Sequence, residues 1–247
     1  MIEQVAAVSP LRHIYLGPRV EFAFSIICFI FRTSAMNRCC FVLCILLLLA
    51  RNLEAQPNGK IQKSLVRITA TEVEPDYRAP WNSGAIQRGI GAGFVIDSSR
   101  IMTNAHVVSN NRYLSVEREG DPNKYQAKVL FVAHDCDLAV IGVSSPDFFK
   151  NMTPLTFGGI PQLESTVSAY GYPIGGERMS VTTGIVSRID FQLYTHSSID
   201  QHLAIQISAQ INPGNSGGPV MQNGKVVGVA FQGYSGDVAQ GVAYMIP

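Results

Sequence analysis

The sequence predicts an all-β protein whose strands pair antiparallel and fall into two halves. From Ser64 onward, short runs rich in β-branched and aromatic residues recur, with Gly, Pro, Asn and Asp between them. No apolar pattern with the helical period of 3.6 residues persists for more than about two turns. About a dozen short strands at this spacing, joined by residues typical of turns, favour an antiparallel all-β fold.

The predicted strands divide near Pro146–Pro154 into two groups of six. The longest irregular stretch is Glu72–Arg88, whose Pro75, Pro80 and Gly84 predict a surface loop. The first group is predicted at Leu65–Thr71, Gly93–Asp97, Ile101–Asn104, Tyr113–Val116, Tyr125–Val132 and Leu138–Val143. The second group is predicted at Thr166–Tyr170, Ser180–Ile189, Leu203–Ser208, Pro219–Gln222, Lys225–Phe231 and Gly241–Ile246.

The charge of the chain is nearly balanced, with 19 Lys and Arg residues against 18 Asp and Glu residues and a formal net charge of +1. This balance indicates neither a nucleic-acid-binding protein nor one with an acidic partner. Of the 5 cysteines, only Cys136 lies beyond residue 55. No disulfide can therefore form within residues 56–247, a segment large enough to fold around its own hydrophobic core.

Residues 1–55 are predicted to be an N-terminal extension that contains a secretory signal peptide beginning at Met36. A short basic segment precedes an apolar run of about twelve residues, Cys39–Ala50, and Leu53–Ala55 supplies a small-residue cleavage site. A membrane-spanning helix needs about twenty residues, so this run is short for one. An uncleaved membrane anchor is the alternative. Either interpretation places the rest of the chain outside the cytoplasm, in a periplasm or secreted.

The stretch Asn212–Pro219, with the sequence Asn-Pro-Gly-Asn-Ser-Gly-Gly-Pro, predicts a serine nucleophile. The glycines around Ser216 allow a tight turn that presents the hydroxyl group. Gly214 allows the backbone N–H groups of Gly214 and Ser216 to point into one small space, which would form an oxyanion hole for acyl transfer. The alternative is a glycine-rich turn with an incidental serine. A histidine and an aspartate placed upstream favour the nucleophile.

His106 is the candidate general base, because a serine is a weak nucleophile until a base takes its proton. It follows a predicted strand in a turn of small residues, and Ala105 leaves space beside the imidazole for a substrate. His134, His196 and His202 lie in or beside polar stretches. These three are predicted to be ordinary surface histidines.

The third group must be a carboxylate that fixes the tautomer of His106. Asp135 and Asp137 are the candidates. The run Asp137–Ile141 predicts a buried strand whose side chains alternate between two faces. Both acids would point to the same side if that strand extended back to Asp135, so the alternation does not decide between them.

Three blocks of sequence, Thr103–Val108, Asp137–Val140 and Gly214–Pro219, resemble the signature blocks of the HtrA/Deg serine proteases. The resemblance covers roughly residues 64–247, and the blocks together are highly specific. Two further blocks are similar to that family, the first of them especially to its Deg branch in plants and some bacteria: Ala169–Gly176 and Val181–Ser187.

The resemblance implies a chymotrypsin-like pair of six-stranded antiparallel Greek-key barrels, with the active site in the cleft between them. The barrels would lie at about residues 62–150 and 151–247 of a protease domain that spans residues 56–247. The family's Asp-Leu-Ala-Val pattern begins at Asp137 and selects that residue over Asp135.

The roles that the resemblance implies are those of a catalytic triad. His106 would act as general base and then general acid, Asp137 as its orienting group and Ser216 as nucleophile. The N–H groups of Gly214 and Ser216 would be the oxyanion donors. The implied substrate-binding residues are Gln210, Ile211, Ala230, Phe231 and Gln232.

The function implied is that of a serine endopeptidase. Members of the family cleave unfolded or damaged proteins without ATP, need neither a metal nor an organic cofactor, and commonly assemble as trimers. The expected partners are therefore unfolded proteins or peptides, and a homotrimer and an N-terminal membrane tether are left open. The alternative is a binding or chaperone-like protein with the same barrels and little peptide turnover, because loops around the cleft can hold the site inactive in this family.

Three features depart from the family's pattern. The family usually continues into PDZ domains, whereas this sequence stops at Pro247. Gln210 stands where the family has a small apolar residue at the floor of the S1 pocket, so a shift of P1 preference away from small aliphatic residues is expected. Ala92 stands where the family commonly has a serine, and this difference is expected to be a neutral change in packing.

The chain expressed from Met36 is expected to be exported and shortened to begin near Gln56, because its apolar run has the length of a signal sequence. N-terminal sequencing of the exported protein tests this. A mature N-terminus before Cys39 would instead indicate the membrane anchor.

Overall fold

The computed structural model describes residues 58–82, 84–173, 177–233 and 241–247. The predictions made for residues 1–55 lie outside this part of the chain. Within the described ranges, no helix is both long enough and apolar enough to cross a membrane.

Twelve β-strands form among the described residues, and they close into two six-stranded barrels. The first barrel contains β1 (Leu65–Val73), β2 (Ile86–Val95), β3 (Arg100–Thr103), β4 (Asn111–Arg118), β5 (Tyr125–Ala133) and β6 (Leu138–Val143). The second barrel contains β7 (Thr166–Gly171), β8 (Ser180–Leu193), β9 (Gln201–Ile207), β10 (Pro219–Gln222), β11 (Lys225–Gly233) and β12 (Ala243–Ile246). The short helical segments of this region are α1 (Asn58–Gln62), α2 (Ala105–Val108) and a 3-10 turn (Pro146–Phe149).

The two barrels have equivalent strand orders. Together they confirm the predicted all-β, two-barrel fold. Neighbouring strands follow β1-β2-β3-β6-β5-β4 in the first barrel and β10-β11-β12-β9-β8-β7 in the second. The strand pairs within each barrel are antiparallel. Closure of each sheet on itself satisfies the backbone groups that an open edge would leave unpaired.

The β1–β2 hairpin is longer than the sequence predicted. Its ladder continues through the pairs Thr71 with Arg88, Glu72 with Gln87, and Val73 with Ile86. The prediction ended β1 early because Glu72 and the polar residues of β2 look like loop residues. The structure places these residues in strands because the backbone hydrogen bonds of the hairpin continue through them. Their side chains are partly or fully exposed, which is why they resemble loop residues in the sequence.

Apolar side chains fill each barrel and also pack between the two. The interior of the first barrel is formed by Val66, Ile68, Ile101, Leu114, Ile141 and Phe148, among others. That of the second includes Val167, Val186, Ile205, Ile207 and Met245. A further cluster draws on both barrels and buries Leu65, Phe94, Tyr170, Tyr172, Tyr194 and Phe231.

The two barrels also meet through backbone contacts at the loop before β10. The N–H group of Ala92 on β2 donates to the carbonyl of Ser216 over 2.8 Å. Gly217 has a φ of +83°, and a Cβ atom there would lie 2.2 Å from the carbonyl oxygen of Ala92 and 2.3 Å from Oγ1 of Thr103. Only glycine allows so close an approach at this backbone conformation. Ala92 is fully buried at this contact.

Gly217→Ala is expected to lower the free energy of unfolding by at least about 3 kcal/mol, because it adds steric overlap to the cost of a left-handed backbone. Gly224 is a matched control, since its φ is +74° and nothing lies within 4 Å of a Cβ atom there. Gly224→Ala should cost only about 1–2 kcal/mol. Urea denaturation of both variants measures the difference. Equal losses would show that the contact between the barrels tolerates a methyl group.

Candidate active site

His106 lies where β3 gives way to the single helical turn α2. Asn104 caps that turn with an extended backbone, at φ −84° and ψ 153°. Ala105 and Val107 are buried, whereas the side chain of His106 retains 33% of its exposure. The short helix therefore anchors its apolar residues in the barrel and leaves the imidazole at the surface.

Asp137 is buried, with 1% of its surface exposed, and its carboxylate faces His106. Oδ1 accepts a hydrogen bond from the backbone N–H of His106 over 2.8 Å, and Oδ2 lies 2.7 Å from Nδ1 of the imidazole. An ionised carboxylate only accepts hydrogen bonds, so Nδ1 of His106 is the donor in this contact. The backbone carbonyl of Asp137 accepts bonds from the Asn104 side chain over 2.9 Å and from the Ala105 N–H over 3.2 Å.

The structure places Asp137 outside the strand that the sequence predicted to contain it. Its φ is +53°, a left-handed conformation, and β6 begins at the next residue. The predicted alternation holds for the strand itself, where Ala139 and Ile141 are buried. The alternation does not apply to Asp137, because the turn before β6 sets the direction of its side chain. Asp135 is exposed, so only Asp137 is brought to the imidazole.

Ser216 lies in a loop of tight turns between β9 and β10. The N–H of Asn215 donates to the carbonyl of Asn212, and that of Gly218 donates to the carbonyl of Asn215, both over 2.9 Å. Gly214 has a φ of +101°, and a Cβ atom there would lie 2.1 Å from the carbonyl oxygen of Tyr172. Among the described residues, no acceptor takes the N–H groups of Gly214 and Ser216. These two donors are thus available to a bound ligand.

A cavity of about 360 Å³ brings the three candidate catalytic residues together. Its walls include His106, Asp137 and Ser216, from both barrels. The remaining lining comes from two loops and from β11: Thr195, His196, Ile211, Asn212, Pro213, Phe231, Gln232 and Gly233.

The predicted substrate-binding residues occupy different positions relative to this cavity. Ile211, Phe231 and Gln232 line it. Ala230 is fully buried behind the serine loop, where it exchanges backbone hydrogen bonds of 2.8 and 2.9 Å with Gly217 and Gly218.

Gln210 does not lie at the floor of the pocket, where it was predicted. Its side chain is exposed, and it is not part of the cavity wall. The hydroxyl of Thr182 on β8 holds its backbone by donating to the Gln210 carbonyl over 2.8 Å. The expected effect of Gln210 on P1 preference therefore lacks a structural basis, because its amide lies outside the cavity.

Two histidines that the sequence predicted to be ordinary surface residues lie beside this site. The ring of His196 is 6.2 Å from that of His106, centroid to centroid, and Nε2 of His196 lies 2.7 Å from Nδ1 of His134. Partial burial is the main cause that lowers the pKa of His196, and the neighbouring His134 and His106 add to it, whereas Asp137 acts in the opposite direction. No local pattern signals this contact, because 62 residues separate the two histidines.

Comparison with known proteins gives consistent matches. A family model described as a trypsin-like peptidase domain matches residues 91–229. Protease Do-like 2, chloroplastic, from Arabidopsis thaliana, is 44% identical over 185 residues, which cover 74% of this chain and 30% of that protein. Putative protease Do-like 6, chloroplastic, from the same plant, is 39% identical over 173 residues, covering 70% of this chain and 73% of that protein.

Solved structures show the same fold. The active form of the Rv3671c protease from M. tuberculosis superposes with a TM-score of 0.63 at 26% identity, over 77% of this chain and 78% of that one. The chain thus matches some relatives over most of their length, but it spans only 30% of Do-like 2 and 35% of Protease Do-like 4, mitochondrial, from A. thaliana.

Asp137→Asn is expected to lower the turnover of a peptide substrate by about 10⁴. In this variant the backbone N–H of His106 would donate to the oxygen of the new side-chain amide. The NH₂ group of that amide would then face Nδ1 and favour the imidazole tautomer with its proton on Nε2, which cannot act as the base. The matched control is Asp135→Asn, which should stay within roughly tenfold of the unaltered protein because that carboxylate is exposed. Steady-state kinetics on a fluorogenic peptide measures both. The reverse ranking would assign the orienting role to Asp135.

Proposed function

This chain belongs to the trypsin-like peptidase family and, within it, to the Do-like proteases, and from that premise we propose that it is an ATP-independent serine endopeptidase that cleaves unfolded or damaged proteins. The observation that carries the proposal is the doubly hydrogen-bonded pair of His106 and Asp137 on the cavity that also exposes Ser216. A buried carboxylate, an imidazole and a serine in this arrangement suit acyl transfer.

The first half of the reaction transfers the acyl group of the substrate to the enzyme. Oγ of Ser216 attacks the carbonyl carbon of the scissile peptide bond while Nε2 of His106 takes the hydroxyl proton. The imidazolium that forms donates through Nδ1 to Asp137, whose buried charge stabilises it. Nε2 then gives its proton to the leaving amine as the C–N bond breaks, which leaves an ester on Ser216.

The second half hydrolyses that ester. A water molecule loses a proton to Nε2 of His106 and attacks the acyl carbon, and the proton returns to Oγ of Ser216 as the C–O bond of the ester breaks. In both halves a negative charge develops on the former carbonyl oxygen. The free N–H groups of Gly214 and Ser216 are the donors available to stabilise it.

The shape of the site supports the proposed substrate class. A cleft between two barrels accepts an extended main chain, which folded proteins rarely present and unfolded ones do. Ile211 and Phe231 give the cavity an apolar wall for a substrate side chain. A homotrimeric assembly remains part of this proposal, and so does a location outside the cytoplasm, which rests on the sequence before residue 56.

A binding or chaperone-like protein on the same fold is the second candidate. Among the hydrogen bonds of the described residues, none joins the Ser216 hydroxyl to His106, although both residues line the cavity. This favours a resting state in which the base is not engaged, as is common before a substrate binds. A protein that remained in that state would bind peptides and hydrolyse few.

Ser216→Ala is expected to reduce the hydrolysis of β-casein by about 10⁶, the scale of loss when the nucleophile of a triad is removed. Its unfolding transition should match that of the unaltered protein, because the Ser216 hydroxyl makes no hydrogen bond to another described residue. The assay is run with apyrase to remove ATP. A folded Ser216→Ala protein that still cleaves casein would exclude Ser216 as the nucleophile.

A fluorophosphonate probe distinguishes the two candidates. The endopeptidase should be labelled on Ser216 and should cleave casein. Labelling of Ser216 without cleavage, combined with retention of unfolded casein in a pull-down, would support the binding protein.

A further inference from the structure

The hydrogen bond between His134 and His196 joins the two barrels at the edge of the candidate active site. His134 belongs to the turn before β6, and His196 to the loop between β8 and β9. Nδ1 of His134 lies 2.7 Å from Nε2 of His196, and the ring centroids are 5.0 Å apart. The catalytic mechanism uses neither ring, so this contact has a different role.

The loop that carries His196 forms one wall of the cavity. Thr195 and His196 line it, and the ring of His196 lies beside that of His106, 6.2 Å away from centroid to centroid. Oγ1 of Thr195 donates to the Gln232 side chain over 2.5 Å and ties the start of the loop to β11. A peptide that enters the cavity therefore meets this wall next to the His106 imidazole.

The loop is held within the second barrel by several hydrogen bonds. The N–H of Tyr194 donates to the Asp200 carbonyl over 3.0 Å, and the N–H of Ser198 donates to the Tyr194 carbonyl over 2.9 Å. Among the described residues, the bond of His196 to His134 is the one hydrogen bond that joins this loop to the first barrel. This bond therefore controls how closely the cavity wall approaches the barrel that carries His106.

The number of protons on the two rings decides whether the bond forms. A neutral imidazole has one N–H and one lone pair, so two neutral rings make one N–H···N bond. One added proton still leaves a lone pair on one ring, and an imidazolium then donates to a neutral imidazole. A second added proton places two N–H groups face to face, which removes the bond and leaves two like charges in contact.

The surroundings keep the second proton off the pair near neutral pH. Partial burial lowers the pKa of His196, the imidazoles of His134 and His106 act in the same direction, and Asp137 acts against them. A histidine with a lowered pKa stays neutral until the pH falls below the ordinary value of about 6.5. The bond therefore persists at neutral pH and is lost only in acid.

The other titratable groups of the turn and the loop do not supply a competing switch. Burial raises the pKa values of Cys136 and Tyr194, so both side chains are uncharged at neutral and acidic pH. Asp135 is exposed, and solvent screens its charge. Asp200 contributes its backbone carbonyl to the closure of the loop.

We propose that His134 is a positioning residue for the substrate cleft, a role that rests on the proposed function. Its hydrogen bond holds the wall formed by His196 beside His106, and protonation of both rings in acid releases that wall. Release moves a lining residue away from a bound peptide, so peptide binding weakens. The contact of Asp137 with His106 is not part of this change, so the effect of His134 falls on KM rather than on kcat.

Peptide binding by the full chain carrying Ser216→Ala tests this role without turnover. The probe is a rhodamine-labelled casein peptide that lacks His, Asp and Glu, and its binding is followed by fluorescence anisotropy at about pH 7.5. Adding His134→Ala should raise the dissociation constant about two- to tenfold, the scale of one hydrogen bond. Adding His134→Asn instead should leave it unchanged, because the amide stands near the place of Nδ1 and can donate to His196 or accept from it.

The same titrations at about pH 5 test the release by acid. The dissociation constant of the Ser216→Ala parent should rise about two- to tenfold more than that of the His134→Asn variant, whose amide does not titrate and keeps a bond to either form of His196. Protonation of His106 is common to both proteins and does not contribute to the difference. Thermal melting verifies that each variant is folded at both pH values.

Hydrolysis of a fluorogenic peptide by the chain with intact Ser216 separates binding from turnover. At about pH 7.5, His134→Ala should raise KM about two- to tenfold and leave kcat within about twofold. His134→Asn should restore KM. A change in kcat alone would contradict the positioning role.

Each outcome has a separate meaning. Equal peptide affinity in the His134→Ala variant and its parent would overturn the positioning role, and equal pH dependence in the His134→Asn variant and its parent would overturn the release by acid. The expected binding pattern in a chain that hydrolyses no peptide would support the positioning role and overturn the proposed function. A Ser216→Ala parent that binds no peptide would overturn both proposals.

Discussion

The buried carboxylate of Asp137 is the interaction on which the arrangement of the active site depends. A charge this deeply buried is tolerated only when it is paired and hydrogen-bonded, and two bonds from His106 meet that need. Loss of one partner of such a pair costs about 3–5 kcal/mol. The same residue holds the β3–α2 junction through its carbonyl, which accepts from Asn104 and Ala105. The orientation of the His106 ring and the stability of the first barrel therefore depend on the same contacts.

The position of Ser216, the proposed nucleophile, relative to His106 depends on the contact between the barrels. His106 belongs to the first barrel and Ser216 to the second, so any shift between the barrels changes their separation. The Ala92–Ser216 hydrogen bond and the close approach of Gly217 to Ala92 join backbone to backbone. Backbone contacts of this kind do not relax by a change of rotamer, and apolar packing of Phe94 and Tyr170 surrounds them. The loop that carries Ser216 is thus fixed to the barrel that carries His106.

The sequence was sufficient for the two-barrel fold and for identifying His106 and Ser216 as residues of one cavity, because both depend on local signals. Turn residues between short apolar runs predicted the strands, and the glycines around Ser216 predicted its tight turns. Strand alternation does not apply to Asp137, because that residue precedes β6 and a left-handed φ of +53° sets the direction of its side chain. The expected position of Gln210 came from family likeness, and the path of this particular loop exposes it. The contact of His134 with His196 joins residues 62 positions apart, and no local pattern encodes such a pairing.

The imidazoles of the cleft differ in their contact with the carboxylate that lines it. His106 and His196 line the cavity together with Asp137, whereas His134 lies outside the cavity wall and contacts His196. The Asp137 carboxylate is hydrogen-bonded to His106 and acts on His196 from a greater distance. The reaction proposed for Ser216 places a positive charge on His106, and His106 is the cavity-lining histidine with a carboxylate in direct contact.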